Sequence, residues 1–309
     1  MVASDMPTAG LRDPKALAEL KTRLGATISV CLPARDEEAT VGHIVASVRR
    51  SLVERVPLVD EVVVMDDGSS DATADAAEWE GARVHRVADV LPSVPPGSGK
   101  GNALWRSLFV TEGSIVVWID ADVRNFRTHF VTRLVEPLLT DPTIGLVKGY
   151  YRRPLHGEPT GGGRVTELMA RPVLSTLFPH LSSIVQPLGG EYAGRRELLE
   201  VVPFVEGWGV EIGLLIDVAD QVGVDAIAQR DLGVREHRNR PLDQLSPQAM
   251  AVLVTALRRA GIPDQRLATS LMRFTGRHEP VVVPVDVNER PPMLSIPEYR
   301  AKLARELSA

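Results

Sequence analysis

A doubly wound α/β fold with a mainly parallel sheet is what this sequence predicts, on three observations. The apolar run Ile115-Val116-Val117-Trp118-Ile119 has the length and branched residues of a strand buried on both faces, and it ends abruptly in Asp120-Ala121-Asp122. Two strand-then-helix units precede it in sequence, beginning at Thr27 and Glu61; such units join parallel strands through right-handed crossovers. With a single cysteine, Cys31, and no internal repeat, neither a disulfide scaffold nor a solenoid competes.

The elements follow in order. Pro7, Gly10 and Pro14 interrupt the N-terminal segment, 1–25, which closes on a short helix at Lys15 to Leu24. Thr27 to Pro33 is the first strand, stopped by Pro33 and followed by Arg35-Asp36-Glu37-Glu38 at the start of a helix running to about Val53. Acidic residues complement a helix N-terminus, and a carboxylate just beyond a first strand is also placed to hold a base or ribose. Glu61 to Asp66 is the second strand, running into the tight turn Asp67-Gly68-Ser69-Ser70-Asp71-Ala72-Thr73, and Ala82 to Val87 is a short third. The Gly/Pro stretch from Leu91 to Gly99 excludes helix and strand, and Lys100 then opens a helix through Arg106. A lysine so held is a candidate phosphate clamp, although the full P-loop pattern is missing, which disfavours an ATPase.

After the central strand come a helix from about Thr128 to Leu139 and a strand from Ile144 to Tyr151. Gly161-Gly162-Gly163 then precedes a helix opened by Arg164, Val165 and Thr166: either a flexible linker or an anion site made of free backbone N–H groups, a charge and a hydroxyl. Gln186 to Gly194 is too glycine-rich for a regular element, and Gly190 before Glu191-Tyr192 implies close backbone approach to a ligand. Gly207 to Leu215 opens an apolar helix with Glu211 in its first turn and Trp208 as a site wall. Asp225 to Leu232 is an edge strand leading to His237. The tail from Leu242 reads as helices at Ser246 to Ala260 and near Asp264 to Met272, a Val281-Val282-Val283 segment, and a final helix preceded by the capping-box spacing Ser295 to Glu298. The expected organisation is an N-terminal segment, a nucleotide-binding half at 26–150, an acceptor-binding half at 151–242 and a helical tail at 243–309 used for packing or self-association.

Of 309 residues, 44% are hydrophobic and 24% charged, which excludes disorder and fibrous classes. A net charge of −5 argues against nonspecific nucleic-acid binding, whereas basic clusters at Arg152-Arg153 and Arg235 to Arg240 suggest an anionic small molecule. No apolar stretch approaches the roughly 18 residues of a membrane span, and no signal-peptide segment is visible, so a cytoplasmic protein is expected. Cys31, inside a strand pattern, is expected to pack.

Two aspartates at i and i+2 beyond a strand's C-terminal end lie where open α/β sheets bind ligands, and their hard oxygens suit a diphosphate-bound Mg²⁺ or Mn²⁺; a solvated turn is the bland alternative. His237 is placed to complete a metal site begun by Asp122, though a lone histidine is more often structural.

The run 62–71, Val-Val-Val-Met-Asp-Asp-Gly-Ser-Ser-Asp, together with Asp120-Ala121-Asp122, resembles the GT-A nucleotide-sugar glycosyltransferases. The runs 99–106, 150–155, 161–168, 186–193, 209–217 and 237–242 resemble the actinobacterial glucosyl-3-phosphoglycerate synthases over nearly the whole chain. The resemblance implies a GT-A fold and transfer of glucose, with retention, from UDP-glucose to the 2-hydroxyl of 3-phosphoglycerate by a metal-dependent cytoplasmic homodimer. It implies Pro33, Arg35, Glu37, Asp67 and Lys100 around the uridine diphosphate, Asp120 near the ribose, and Ala121, Asp122 and Trp208 along the donor. It makes Asp122 and His237 metal ligands. It puts Glu211 and Tyr192 at the sugar, the Leu188 carbonyl at the anomeric centre, and Gly163, Arg164, Val165, Thr166 and Asn239 on the acceptor. Arg35-Asp36 and Asp67 stand where the family carries uncharged residues, and Gly189 where serine is common; these touch the nucleotide pocket, so GDP-mannose is the alternative donor. A noncatalytic nucleotide-sugar-binding protein is the alternative of another class. A polyprenyl-phosphate sugar transferase is disfavoured because no membrane element is evident.

Overall fold

The computed structural model describes residues 12–155, 158–236, 241–274 and 276–306. Helix α1 (Pro14–Leu24) is entered through Asp13, whose side chain accepts from the Lys15 N–H, and left through Gly25 in the left-handed region, φ 62°. Strand β1 (Ile28–Ala34) leads to α2 (Val41–Val48), which continues as a π-helical stretch to Glu54. Strand β2 (Glu61–Asp66), α3 (Thr73–Trp79), β3 (Arg83–Arg86), α4 (Gly99–Val110), β4 (Ile115–Trp118), α5 (His129–Thr140) and β5 (Leu146–Arg152) continue the alternation. A small hairpin, β6 (Pro154–Leu155) with β7 (Glu158–Gly161), precedes a π-helical turn into α6 (Arg171–Leu177). Strand β8 (Tyr192–Arg195), α7 (Arg196–Leu199), β9 (Phe204–Val205), α8 (Val210–Val222) and β10 (Ile227–Val234) complete the part that carries the sheet.

The seven-stranded sheet has the order β10-β5-β8-β4-β1-β2-β3. Every pairing in it is parallel except those of β8, which runs antiparallel between β4 and β5 and sets Tyr192 opposite both Trp118 and Lys148. The glycine-rich stretch read as irregular therefore supplies a central strand. Its sequence, Tyr-Ala-Gly-Arg, is four residues long with two small ones, so it carries neither alternation nor β-branched enrichment. The small residues have a packing reason: a Cβ on Gly194 would already meet the Leu199 side chain at 3.1 Å. β10 lies at the sheet edge, as expected.

Each face of the sheet buries its own core. Cys31, Met65, Trp118 and Tyr192 pack with Trp105, Phe204 and Ile212 on one side, while Val30, Val64, Val117 and Ala193 pack with Ile44, Phe130 and Leu134 on the other. Burial pushes the Cys31 thiol up to about 12, which suits the packing role.

Three local expectations are corrected. The helix after β1 begins at Val41 rather than at the acidic cluster, because those carboxylates serve a neighbouring loop: Asp36 Oδ1 accepts from Ser70 N–H at 2.7 Å and Glu38 Oε2 from Ala72 N–H at 3.0 Å. The tail is partly β. After α9 (Leu242–Arg259), residues Asp264–Arg266 form only a 3₁₀ turn, and β11 (Ser270–Phe274) pairs antiparallel with β12 (Pro280–Pro284), whose valines supply the strand propensity. Strand β13 (Glu289–Arg290) pairs with β9, and α10 (Pro297–Glu306) ends the described chain. The capping box at α10 is replaced by other bonds: Ser295 Oγ donates to Pro292 O at 2.7 Å, and Glu298 accepts from Ser93 at 2.6 Å.

Candidate active site

The C-terminal ends of β1, β2 and β4 converge where the Asp-Ala-Asp turn leaves the sheet, with Ile119 N–H still bonded to Cys31 O. Lys100, in the first turn of α4, is 2.5 Å from Asp120 Oδ1 and 2.7 Å from Glu211 Oε1, so one ammonium joins β4 to the first turn of α8. Arg235, just past β10, places Nη2 2.8 Å from Asp120 Oδ2 and 2.7 Å from Asp122 Oδ1, and its Nε 2.7 Å from Glu191 Oε1. Glu191 is fully buried; its other oxygen accepts from the Tyr151 hydroxyl at 2.5 Å, and that hydroxyl accepts from Arg153 at 2.9 Å. Gly190 makes this density of charge possible: a Cβ there would lie 2.2 Å from Asp120 Oδ2 and 2.5 Å from Lys100 Nζ. The close approach read from that glycine is real, and its neighbours are the protein's own ion pairs.

These pairs decide which groups carry charge. Burial alone would raise Asp120, but Lys100 and Arg235 reverse this and hold the carboxyl well below the usual range. Burial also opposes the Lys100 charge, and Asp120 and Glu211 outweigh it, leaving that ammonium firmly protonated. Glu191 is raised by burial, which Arg235 only partly offsets. Lys148, beneath the same cluster, is lowered by burial to about 8. The Tyr192 hydroxyl is buried without a hydrogen-bond partner among the described residues, and burial followed by the Glu211 charge raises it well above the ordinary phenol value.

A second rim is built from the loops after β1 and β2. Pro33 and Met65 are register partners, Arg35 is exposed beyond them, and Glu37 N–H donates to Thr73 Oγ1 at 2.8 Å. Asp67 accepts from Gly99 N–H at 3.2 Å; burial raises its carboxyl while the nearby Arg35 charge lowers it. Ala121 is buried and its carbonyl accepts from Thr40 Oγ1. Trp208, 42% exposed, sits on the 3₁₀ turn Gly207–Gly209 against the start of α4. On the far side, Gly163 (φ 77°) caps the turn that Arg164 and Val165 begin, its carbonyl accepting from Glu167 N–H at 3.1 Å. Val165 packs on the core, Thr166 is buried, and Gly162 N–H bonds Arg153 O, which ties the glycine loop to the Tyr151–Glu191–Arg235 chain.

A family model, "Glycosyl transferase family 2", matches residues 29–161. A glucosyl-3-phosphoglycerate synthase from Petrotoga mobilis is 44% identical over 304 residues, covering 94% of this chain and 94% of that protein. The chain belongs to the glucosyl-3-phosphoglycerate synthase family. The crystal structure of the glucosyl-3-phosphoglycerate synthase of Mycobacterium tuberculosis in complex with Mn²⁺, UDP-glucose and phosphoglyceric acid superimposes with a TM-score of 0.84, at 49% identity over 92% of this chain and 95% of that one. A structure of the same enzyme with Mg²⁺ and UDP gives 0.84 at 49% identity, covering 92% and 96%.

Within this family fold, Lys100, Asp120, Asp122, Tyr192 and Glu211 fall in one cluster, with Leu188 on the turn leading into it. Pro33, Arg35, Glu37 and Asp67 line the adjoining rim. His237 and Asn239 lie outside the described residues. Arg235, Lys148, Tyr151 and Arg153 were given no site role by the sequence, and Glu191 was read only as the neighbour of Gly190. The basic clusters hinted at two of them but suggested a ligand, whereas Arg153 and Arg235 meet the protein's own Tyr151 and carboxylates, in Arg235's case 113 and 115 residues away in sequence.

The donor set fits a hard divalent cation. Carboxylate oxygens from Asp120 and Asp122 already converge on a single cationic atom, Arg235 Nη2, so the same oxygens can face one metal ion. Among the described residues no three His, Cys, Asp or Glu side chains are arranged to hold a metal ion by themselves, and His237 is not one of the described residues.

Proposed function

We propose that the chain transfers glucose from UDP-glucose to the 2-hydroxyl of 3-phosphoglycerate with retention at the anomeric carbon, releasing UDP, with Mg²⁺ or Mn²⁺ as cofactor. The observation that carries this is the pair Asp120 and Asp122 meeting on one cationic atom at the C-terminal edge of the sheet, with Lys100 and Glu211 beside them. Pro33, Arg35, Glu37 and Asp67 hold the nucleoside, with Asp120 near the ribose, and Lys100 with the first N–H groups of α4 holds the diphosphate. Asp122 and His237 hold the metal, which when bound neutralises charge on the leaving diphosphate. Glu211, Tyr192 and the Leu188 carbonyl surround the sugar, and Trp208 closes its outer wall. Gly163, Arg164, Val165 and Thr166 take one of the acceptor's two anionic groups at the opening of a helical turn, and Asn239 takes its other end.

A front-face path suits these residues: the acceptor hydroxyl attacks from the side the diphosphate leaves, and a diphosphate oxygen takes its proton. Glu211 as a nucleophile is the competing path, and its carboxylate is already engaged by Lys100 at 2.7 Å. A trapped glycosyl-enzyme adduct would reverse that choice. Self-association through the tail and a cytoplasmic setting belong to the same proposal, checked by light scattering and cell fractionation. Incubation with UDP-glucose, GDP-mannose and other nucleotide sugars, with and without 3-phosphoglycerate and Mg²⁺, is expected to release UDP only when UDP-glucose, acceptor and metal are all present. GDP release in preference would move the assignment to mannose transfer, for which the Arg35 and Asp67 charges on the nucleotide rim are the motive; release with no acceptor dependence would remove phosphoglycerate.

A further inference from the structure

Lys148 is 2% exposed on β5, between the edge strand β10 and β8. Glu211 of α8, Glu191 before β8 and Asp120 after β4 all favour its charge and Lys100 of α4 opposes it, but Lys100 ion-pairs with Asp120 and Glu211, and Arg235 with Glu191. The Lys148 ammonium is directed elsewhere: Nζ donates to Gly189 O at 2.7 Å and lies 4.3 Å from the centre of the Tyr192 ring.

Gly189 closes a turn. Its N–H bonds Gln186 O at 3.1 Å, and Gln186 is itself fastened by Nε2 to Tyr151 O. In a trans peptide the N–H of Gly189 and the C=O of Leu188 point opposite ways, so an N–H aimed into the turn sends the Leu188 carbonyl out of it. Gln186 fixes one arm of this turn to β5 and Lys148 fixes the other.

We propose that Lys148 is a positioning residue for the transfer: its buried ammonium fastens the Gln186–Gly189 turn to the ring of Tyr192 and so sets the direction of the Leu188 carbonyl. The inference rests on the reading that puts Leu188 and Tyr192 at the sugar. The lowered ammonium, about 8, means that the clip carries its charge at neutral pH and sheds it in mildly alkaline solution.

The test is Lys148→Met, which keeps the length of the stem, followed by hydrogen exchange of 186–192, UDP calorimetry and steady-state kinetics. Exchange in that segment should rise, kcat should fall by about 10- to 100-fold, and UDP affinity and the KM for 3-phosphoglycerate should stay within about threefold. Unchanged exchange would overturn the clip. Raised exchange with unchanged kcat would show instead that the clip exists and that the Leu188 carbonyl is not used, sinking the reading beneath it. If the Met variant does not fold, Lys148→Arg serves: a guanidinium keeps its proton, so an alkaline fall in kcat near pH 8 in the wild type should disappear. Its persistence in that variant would overturn the proposal.

Discussion

Asp122 is a quarter exposed at the end of a strand, so replacing it should cost chemistry rather than fold. Asp122→Ala is expected to lower turnover a few hundredfold, about 3–4 kcal/mol of transition-state stabilisation, with the fold retained and only a modest fall in melting temperature because Arg235 keeps Asp120 and Glu191 as partners; near-normal activity at saturating Mg²⁺ would remove the Asp-Ala-Asp turn from the mechanism. Lys148 should do the reverse in its pH dependence, where stability responds. Its ammonium falls from an ordinary 10.5 to about 8 on folding, so within that window the unfolded chain binds the extra proton and stability rises with pH. Below about 8 the penalty is present in full, on the order of 3 kcal/mol. Relative to Lys148→Met, the wild type should therefore gain roughly that much between pH 7.5 and 10.5 in urea titrations, and parallel curves would contradict the assignment. Asp120, Lys100 and Glu211 were legible because each stands at a helix start or strand end that the local pattern marks. Glu191, Lys148 and Arg235 were not, since a buried charge is explained only by partners far away in sequence, and no short window contains both.

At the scale of elements, α4 shows how tightly the site is mounted. A Cβ on Gly101 would lie 1.8 Å from Val205 O and 2.9 Å from its carbonyl carbon, and neither is a side chain that can swing away. Gly to Ala inside an exposed helix ordinarily stabilises by about 1 kcal/mol. Gly101→Ala should do the opposite, losing about 1–3 kcal/mol from overpacking and drawing Lys100 away from Asp120 and Glu211, so both melting temperature and kcat should fall. A rise in melting temperature would show that the start of α4 is free to shift. The same scale marks where the sequence was readable. Apolar, β-branched runs such as those of β2 and β4 and the α9 pattern declare themselves, whereas β8, no shorter than β4, has small residues in its middle. The stretch after Asp264 becomes a strand only because β12 is there to pair with it.

Over the whole molecule the tail is sewn onto the core rather than appended to it. Trp105 donates to Pro291 O at 2.7 Å, Arg290 meets Glu206 at 2.5 Å with both side chains almost fully buried, and the Tyr299 hydroxyl bonds Glu200. A chain ending at Ala260 would leave the Glu206 carboxylate and the Trp105 N–H without these partners; loss of one half of a buried ion pair alone costs about 3–5 kcal/mol. Such a truncation is expected to lose its cooperative melt, and a sharp transition near the full-length temperature would refute the point. The sequence suggested packing or self-association for this tail, but its attachments, 186 residues apart for Trp105 and Pro291, lie beyond any local pattern. The position of β8 bears on how the protein is made. A nascent chain that has emerged only to about residue 190 holds β1 to β4 and β5 with no strand to bridge them, and both flanking edges are open to other chains. Translation up to that point should give a protease-sensitive product that relies on chaperones, and protection should arrive in a single step once Tyr192–Arg195 clears the ribosome.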